Sequence, residues 1–150
     1  LLQVSPKYFN HMRGSTDSEI IFFLALSFGL EKDPCGALEK TIGLIEKVGK
    51  AQGTEFPFQG TFGFSNGDTL YAVRYSSEGD SRSLYYSEAV DTLKKLLPEG
   101  PRFDMFDHTS RAVVSEPLGN VPGVWIPVPE ASFLTVKGGD VTISDFSPQG

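Results

Sequence analysis

A helix-start signal followed directly by a long apolar run limits the possible folds of this chain more than any other feature. Thr16 and Glu19 have the spacing of a capping box, in which the hydroxyl accepts from an N–H at the helix start and the carboxylate returns to the N–H of the cap residue. Apolar side chains then occupy nearly every side of the helix, at positions 20–24, 26 and 28. A helix of this kind is buried on most of its faces. We therefore expect the first helix to lie under a sheet, with other structure over it.

A second helix is predicted to begin at Asp33, which can act as the N-cap, with Pro34 at the first helical position. We expect it to end near Gly49 or Gly53. Its apolar side is formed at helical spacing by Leu38, Thr41, Ile42, Ile45 and Val48. Its opposite, charged side carries Glu39, Lys40, Glu46, Lys47 and Lys50. The pattern is typical of an amphipathic surface helix.

From residue 56 onwards the pattern changes to that of β-structure. Asn66 and Gly67 lie between aromatic and β-branched runs at 61–64 and 70–75. An Asn-Gly pair in this position predicts a hairpin in which both turn residues have positive φ.

A second hairpin is predicted at Gly138 and Gly139, between strands at 132–136 and 141–143. Short strands are also expected at 83–86 and 111–115, and a weak helix at 88–97. No linker or repeat divides the chain. We read residues 1–150 as one α+β domain, with two helices followed by an antiparallel β half.

The composition excludes several classes of protein. With 39% hydrophobic and 12% aromatic residues the chain is too apolar for disorder, yet it has no stretch of ~18 apolar residues that would span a membrane. One cysteine excludes a disulfide framework or a thiolate metal cluster. Thirteen basic and nineteen acidic residues give a net charge of −6, which argues against nucleic-acid binding. We expect a cytoplasmic protein without a cofactor.

Several isolated residues are candidates for reactive sites. Cys35 lies in the first turn of the second predicted helix, where the thiolate is favoured, although a small half-buried residue is the commoner explanation. The histidines, His11 and His108, lack metal-ligand spacing, and Asp104 and Asp107 fit a solvated loop better than a ligand set.

The end of the predicted strand at 111–115 offers a further candidate. Ser115 has no G-x-S-x-G context that would make it a nucleophile. Its neighbour Glu116 could form a structural ion pair with Arg74 or Arg111.

The start of the first helix is the most informative position for binding. Helix N-termini attract anions, but Asp17 and Glu19 in this first turn would repel a phosphate and would suit a cationic group. The alternative is that Asp17 only caps the helix and stabilises its dipole, by up to ~1 kcal/mol. Composition alone favours capping.

Taken in order, five segments resemble the class II glutamine amidotransferases. Their G-x-TDSE motif resembles GSTDSE at residues 14–19. The later motifs of the family resemble NGDTLYAVRY at 66–75, SLYY at 83–86, RAVVSEPL at 111–118 and WIPVPE at 125–130. The resemblance covers about residues 10–146. It is nearest to the small stand-alone branch that includes the hydrolase of ergothioneine synthesis.

This resemblance implies an Ntn-hydrolase-like αββα sandwich and the hydrolysis of glutamine or another γ-glutamyl amide. In such enzymes an N-terminal cysteine attacks the amide carbonyl, an Asn-Gly pair forms the oxyanion hole and an Arg holds the substrate α-carboxylate. The resemblance places Asp17 as the acceptor of the substrate α-ammonium, with Thr16 and Ser18 in the same substrate-binding segment. It also implies architectural roles for Glu19 and Glu116.

The chain departs from the family pattern at its start. It opens with Leu1 instead of the cysteine nucleophile, and the family's oxyanion and carboxylate-binding motifs precede TDSE. Asn66-Gly67 follows TDSE and is not that oxyanion pair, and Cys35 does not occupy the nucleophile's position. We therefore expect the C-terminal part of an incomplete domain that is inactive as given, with no catalytic residue assigned in it.

The sequence leaves two alternatives open. One is a non-catalytic binding or assembly module that keeps the fold. The other is an unrelated small-molecule-binding α+β domain, in which the ordered motifs are coincidental. The sequence identifies neither the ammonia acceptor nor the oligomeric state.

Overall fold

The computed structural model describes residues 3–98 and 105–149. These residues divide into two compact units, a helical unit within Leu1–Phe58 and Phe146–Gly150 and a sheet unit within Gln59–Asp145. The helices of the helical unit are a 3-10 helix at Pro6–His11, α1 at Asp17–Ser27 and α2 at Pro34–Ala51. The sheet unit contains α3 at Val90–Leu96 and strands β1 Gln59–Ser65, β2 Thr69–Ser76, β3 Tyr85–Ser87, β4 Val113–Val114, β5 Trp125–Pro127, β6 Ser132–Lys137 and β7 Asp140–Asp145.

Helix α1 starts where the capping box predicts, but it is less buried than expected. Its buried residues are Leu24 and Ala25, whereas Phe22 is 46% exposed. The helix packs on α2, and Phe23 contacts the Tyr8 ring with a centroid distance of 5.9 Å. An apolar residue is buried only where another element covers it, and in the described chain nothing covers Phe22 fully. The expectation of a helix buried on most faces was therefore wrong for this chain.

Helix α2 begins and ends on two predicted signals. The carboxylate of Asp33 accepts a hydrogen bond from the Gly36 N–H at 3.0 Å, which satisfies a backbone donor at the helix start. Of the two glycines predicted as possible helix ends, Gly49 lies within α2, and Gly53 follows its end with a φ of +86°. The Thr54 N–H returns to the Gly49 carbonyl at 3.0 Å and closes the last turn.

The buried face of α2 is rotated from the predicted one. Glu46, expected on the charged side, is 5% exposed, and Val48, expected on the apolar side, is 48% exposed. The C-terminal segment 146–149 contacts α2 at Glu39 and Gly43, which lie on the same face of the helix as Glu46. An added Cβ at Gly43 would lie 2.2 Å from the Gln149 carbonyl oxygen, and the Ser147 N–H donates to Glu39 at 2.8 Å.

The sheet unit is built from two antiparallel sheets. The larger has the strand order β1-β2-β6-β7 and the smaller has the order β4-β3-β5. One buried cluster takes Ala72, Leu134 and Val136 from the larger sheet and also Leu84 and Val128. Strands alternate their side chains between two faces, so β2 directs Leu70 and Ala72 to this core and Tyr71 and Val73 to the other face. The cluster therefore joins the two sheets.

The predicted hairpins are both present, with one difference in turn geometry. Gly138 and Gly139 both have positive φ and connect β6 to β7 as expected. In the first hairpin positive φ occurs at Gly67 alone, so the prediction for Asn66 was wrong. The register pairs Ser65 with Leu70, which centres the turn on Gly67 and Asp68. The side chain of Asn66 instead accepts the N–H groups of Asp68 and Thr69 at 3.0 and 2.8 Å.

The remaining predicted elements are present with shifted bounds. Helix α3 falls within the predicted 88–97, β3 begins later than the predicted 83–86, and β4 is shorter than the predicted 111–115. The structure is a mixed helix and sheet fold, as predicted, and the full αββα arrangement stays a prediction. In the described part of the chain no helix has both the length and the apolar character needed to cross a membrane.

Candidate functional site

The segment Thr16, Asp17 and Ser18 forms the start of α1. Thr16 is the N-cap residue, with extended backbone angles, and its hydroxyl oxygen accepts from the Glu19 N–H at 3.4 Å. The hydroxyl of Ser18 donates to the same oxygen at 3.4 Å. Both contacts are at the long end of hydrogen-bond distances and are correspondingly weak. The residues before and after Asp17 thus both carry hydroxyl groups, and these two hydroxyls contact each other.

Glu19 holds the loop that leads into α1. Its Oε1 accepts from the Arg13 N–H and its Oε2 from the Gly14 N–H, both at 2.8 Å. In a standard capping box the carboxylate accepts from the N–H of the cap residue itself. Here it reaches further back along the chain, to the N–H groups of Arg13 and Gly14. An added Cβ at Gly14 would lie 3.0 Å from Oε2, so glycine leaves room for this contact. Both oxygens of Glu19 are engaged by backbone, in agreement with an architectural role.

Asp17 has a different environment, because its side chain is exposed. Its Oδ1 accepts from the Ser18 N–H at 2.7 Å, and among the described residues its other oxygen has no hydrogen-bond partner. The apolar run predicted a helix buried on most of its faces, and this expectation was wrong at the helix start, since Asp17 and Ser18 in the first turn of α1 are exposed. The negative charge of Asp17 interacts favourably with the dipole at the helix N-terminus. Its second oxygen can still accept a hydrogen bond from a cationic group.

The other reactive candidates are not assembled into a site. Cys35 lies half-buried in the first turn of α2, as predicted. His108 contacts Asp107 with 3.2 Å between Nδ1 and Oδ1, and Asp104 lies outside the described residues. Hydrogen bonds from the backbone and hydroxyl of Thr109 lower the pKa of Asp107. Within residues 3–98 and 105–149 no group of three His, Cys, Asp or Glu side chains could hold a metal ion.

Glu116 does not form the predicted ion pair. Its side chain is exposed, and Arg111 donates to the carbonyls of His108 and Ser110. Ser115 is also exposed and contributes its carbonyl oxygen, which accepts from the Ser83 hydroxyl at 2.8 Å.

Arg74 pairs with Glu130, a partner that sequence reasoning missed. Arg74 Nε lies 3.4 Å from Glu130 Oε2, and Arg74 Nη1 donates to the Val128 carbonyl at 2.6 Å. The buried Ser81 donates its N–H to the same Glu130 oxygen at 3.1 Å, and its hydroxyl donates there too. Arg74 lies in the motif at 66–75 and Glu130 in the motif at 125–130. Because these motifs are far apart in sequence, no local pattern predicts that the two residues contact each other.

The helical unit contains an apolar groove of about 410 Å³ between α1 and α2. It is lined by Gln3, Val4, Ile20, Leu24, Leu44, Ile45, Val48, Gly49, Thr54 and Pro57. None of these lining residues is charged. The groove therefore offers no charged side chain that would pair with the ammonium or the carboxylate of an amino acid.

Comparisons with known proteins point to one family. No family model matches the chain. It is 29% identical over 160 residues to a Saccharomyces cerevisiae protein described as probable glutamine amidotransferase DUG3, in an alignment covering 91% of this chain and 44% of the yeast protein. It is also similar to the structure of a glutamine aminotransferase class-II domain protein from Silicibacter pomeroyi, with a TM-score of 0.79 and 36% identity.

The structural match covers 98% of this chain and 59% of the Silicibacter chain. The chain thus spans about half the length of the proteins it matches. Both comparisons support a relationship to the class II glutamine amidotransferases, the family that the sequence motifs indicate.

Proposed function

We propose that this chain is the C-terminal part of a class II glutamine amidotransferase domain with an αββα sandwich, nearest to the stand-alone branch. The parent protein hydrolyses glutamine or a related γ-glutamyl amide. Support comes from the order of the motifs and from the similarity to two proteins of which the chain covers 44% and 59%.

The proposal rests on the different hydrogen bonding of the two carboxylates at the start of α1, those of Asp17 and Glu19. Both oxygens of Glu19 accept from backbone N–H groups, so this carboxylate is committed to the loop. Asp17 is exposed and keeps an oxygen available. In the proposed function this oxygen accepts a hydrogen bond from the α-ammonium group of the substrate. The neighbouring residues Thr16 and Ser18, whose hydroxyls contact each other, complete the proposed binding segment.

The chemistry itself is assigned to a residue that this chain does not contain. The family resemblance implies a cysteine at the amino terminus of the parent domain, whose thiolate attacks the amide carbonyl while its own α-amino group acts as base. The C–N bond breaks and ammonia leaves, and water then releases glutamate from the thioester. We assign no catalytic role to Cys35 in the first turn of α2.

Glutamate release from glutamine tests this proposal directly. We expect turnover by the natural protein that contains this chain and none by the 150-residue polypeptide. In the natural protein Cys35→Ala should leave turnover unchanged, whereas replacement of the amino-terminal cysteine should abolish it. Turnover by the 150-residue polypeptide that is lost in Cys35→Ala would overturn the assignment. A natural protein without turnover would favour a binding or assembly role.

A further inference from the structure

Glu19 closes the short loop that leads into Asp17. Its side-chain oxygens accept from the N–H groups of Arg13 and Gly14, both at 2.8 Å, and its own N–H donates to the Thr16 hydroxyl oxygen at 3.4 Å. Asp17 therefore lies between two ends of a segment that this one residue joins. All of these donors and acceptors lie close together in sequence, so the arrangement depends on local contacts.

Residues 12–16, which precede α1, belong to no helix or strand. Such a segment lacks the regular backbone hydrogen bonds of those elements, so its N–H groups bond to side chains or to water. The Glu19 carboxylate is the acceptor for the N–H groups of Arg13 and Gly14. Hydrogen bonds to an ionised carboxylate are stronger than those between neutral groups. We therefore expect this side chain to determine how well the loop is ordered.

Gly14 is required by the same contact. Its φ lies outside the left-handed region that favours glycine, so the reason for glycine here is space. An added Cβ would lie 3.0 Å from Glu19 Oε2 and would push the carboxylate away. Gly14→Ala therefore disturbs the contact while the carboxylate itself is kept.

The two hydrogen bonds depend on the carboxylate at position 19. An ionised carboxylate has two acceptor oxygens, whereas the amide of Gln has one acceptor oxygen and an NH₂ group that donates. In Glu19→Gln one of the two backbone N–H groups would therefore face another donor. Gln is nevertheless accepted at the third position of a capping box, so α1 should still begin at the same residue. The substitution thus removes one hydrogen bond of the loop and keeps the helix.

We propose that Glu19 is a positioning residue for the substrate. By ordering the loop before α1 it holds Asp17 where the α-ammonium group of the substrate binds, so less ordering has to take place on binding. In this role Glu19 contacts backbone and not the substrate. The inference rests on the proposed function, because it requires that Asp17 contacts the substrate.

Steady-state kinetics of glutamine hydrolysis by the natural protein that contains this chain test this role. We expect Glu19→Gln to raise KM at least about threefold, because one hydrogen bond of the loop is lost, and to leave kcat within about twofold. Gly14→Ala should act in the same direction. Because both substitutions disturb one contact, the rise in KM of the double variant should be smaller than the product of the two single rises. A merely structural role would lower kcat through loss of folded enzyme and would leave KM unchanged.

The matched control is Glu39→Gln. Glu39 also accepts from a backbone N–H, that of Ser147 at 2.8 Å, but it lies within α2, so its replacement removes the same charge away from the loop. This variant should leave KM unchanged. Amide hydrogen exchange of residues 13–14 in the natural protein should be faster in Glu19→Gln and unchanged in Glu39→Gln.

Asp17→Asn, measured in parallel, separates this inference from the proposed function. A raised KM in Asp17→Asn with an unchanged KM in Glu19→Gln would overturn the positioning role and leave the proposed function intact. Unchanged exchange at residues 13–14 in Glu19→Gln, or a fall in kcat without a change in KM, would also overturn the positioning role. An unchanged KM in Asp17→Asn, or a natural protein without turnover, would remove the substrate role of Asp17 and this inference with it.

Discussion

Arg74 and Glu130, far apart in sequence, form a half-buried ion pair in the sheet unit, with 3.4 Å between Nε and Oε2. The pair holds two loops. Ser81 donates its N–H to the same carboxylate oxygen, and Arg74 Nη1 donates to the Val128 carbonyl. Directly after Glu130, Ala131 has a φ of +53°, an unfavourable value for a residue with a Cβ. The ion pair therefore lies where the chain turns into β6.

Replacement of Glu130 should destabilise the fold measurably. In Glu130→Ala the N–H of the buried Ser81 loses its acceptor and Arg74 loses its counter-charge, while the Ser81 hydroxyl can still donate to the Arg82 carbonyl at 3.3 Å. Unsatisfied buried donors cost about 1–3 kcal/mol in the free energy of unfolding. Urea denaturation of the purified chain measures this change.

The matched control is Glu116→Ala, which removes the exposed carboxylate that the sequence proposed as the partner of Arg74. Because Glu116 lies at the surface, we expect a change within about 0.5 kcal/mol. Equal effects of the two substitutions would contradict the assignment of Glu130 as the partner.

Gly43 in α2 should resist substitution although it lies in a helix interior. There Ala is ordinarily favoured over Gly by about 0.5–1 kcal/mol. An added Cβ would lie 2.2 Å from the Gln149 carbonyl oxygen, so Gly43→Ala must displace the C-terminal segment. We expect faster hydrogen exchange of the Ser147 amide, which donates to Glu39. The exposed Lys40→Ala should leave that exchange rate unchanged, and an unchanged rate in Gly43→Ala would contradict the close approach.

The parts of the fold that the sequence predicted are those set by neighbouring residues. Thr16 and Asp33 cap their helices, and Gly138-Gly139 forms its hairpin, because these structures depend on contacts within a few residues. Two helices and an antiparallel β half followed from such signals alone.

The parts that were missed depend on contacts across long stretches of chain. Glu46 is buried because the helical face it shares with Gly43 meets the C-terminal segment, which no local pattern reveals. Phe22 is exposed because burial depends on which element covers a side chain as well as on its polarity. The pairing of Arg74 with Glu130 was missed for the same reason, because the two residues are distant in sequence and no local pattern relates them.

Asp68 should titrate differently once Lys137 is replaced. The hydrogen bond from Lys137, with that from Thr69, lowers the pKa of Asp68 below its usual value. A carboxyl whose folded pKa is lowered stabilises the fold above its unfolded pKa, and this contribution is lost as the pH falls through the folded pKa. In Lys137→Met we expect the pKa of Asp68 to rise toward its usual value and less stability to be lost on acidification. NMR titration of the carboxyl carbons measures the shift.

Asp107 provides an internal control in the same titration. Its pKa is lowered chiefly by hydrogen bonds from Thr109, which the Lys137 substitution leaves in place. The pKa of Asp107 should therefore stay unchanged while that of Asp68 rises. A common shift of both groups would indicate a general structural change instead of the loss of one ion pair.

Asp17→Asn in the natural protein that contains this chain should raise the KM for glutamine while the helix still forms, because Asn also caps helices well. Removal of one partner of a buried charge pair costs about 2–5 kcal/mol, which is about 30-fold or more in KM. An exposed pair is worth only ~0.2–1 kcal/mol, or less than about fivefold. Asp17 is exposed in this chain, so a rise of 30-fold or more requires that the rest of the domain covers the bound substrate. Asp33→Asn, a matched change at the start of α2, should leave KM unchanged. An unchanged KM in Asp17→Asn would reduce Asp17 to a helix-stabilising residue and would remove the substrate-binding role proposed for it.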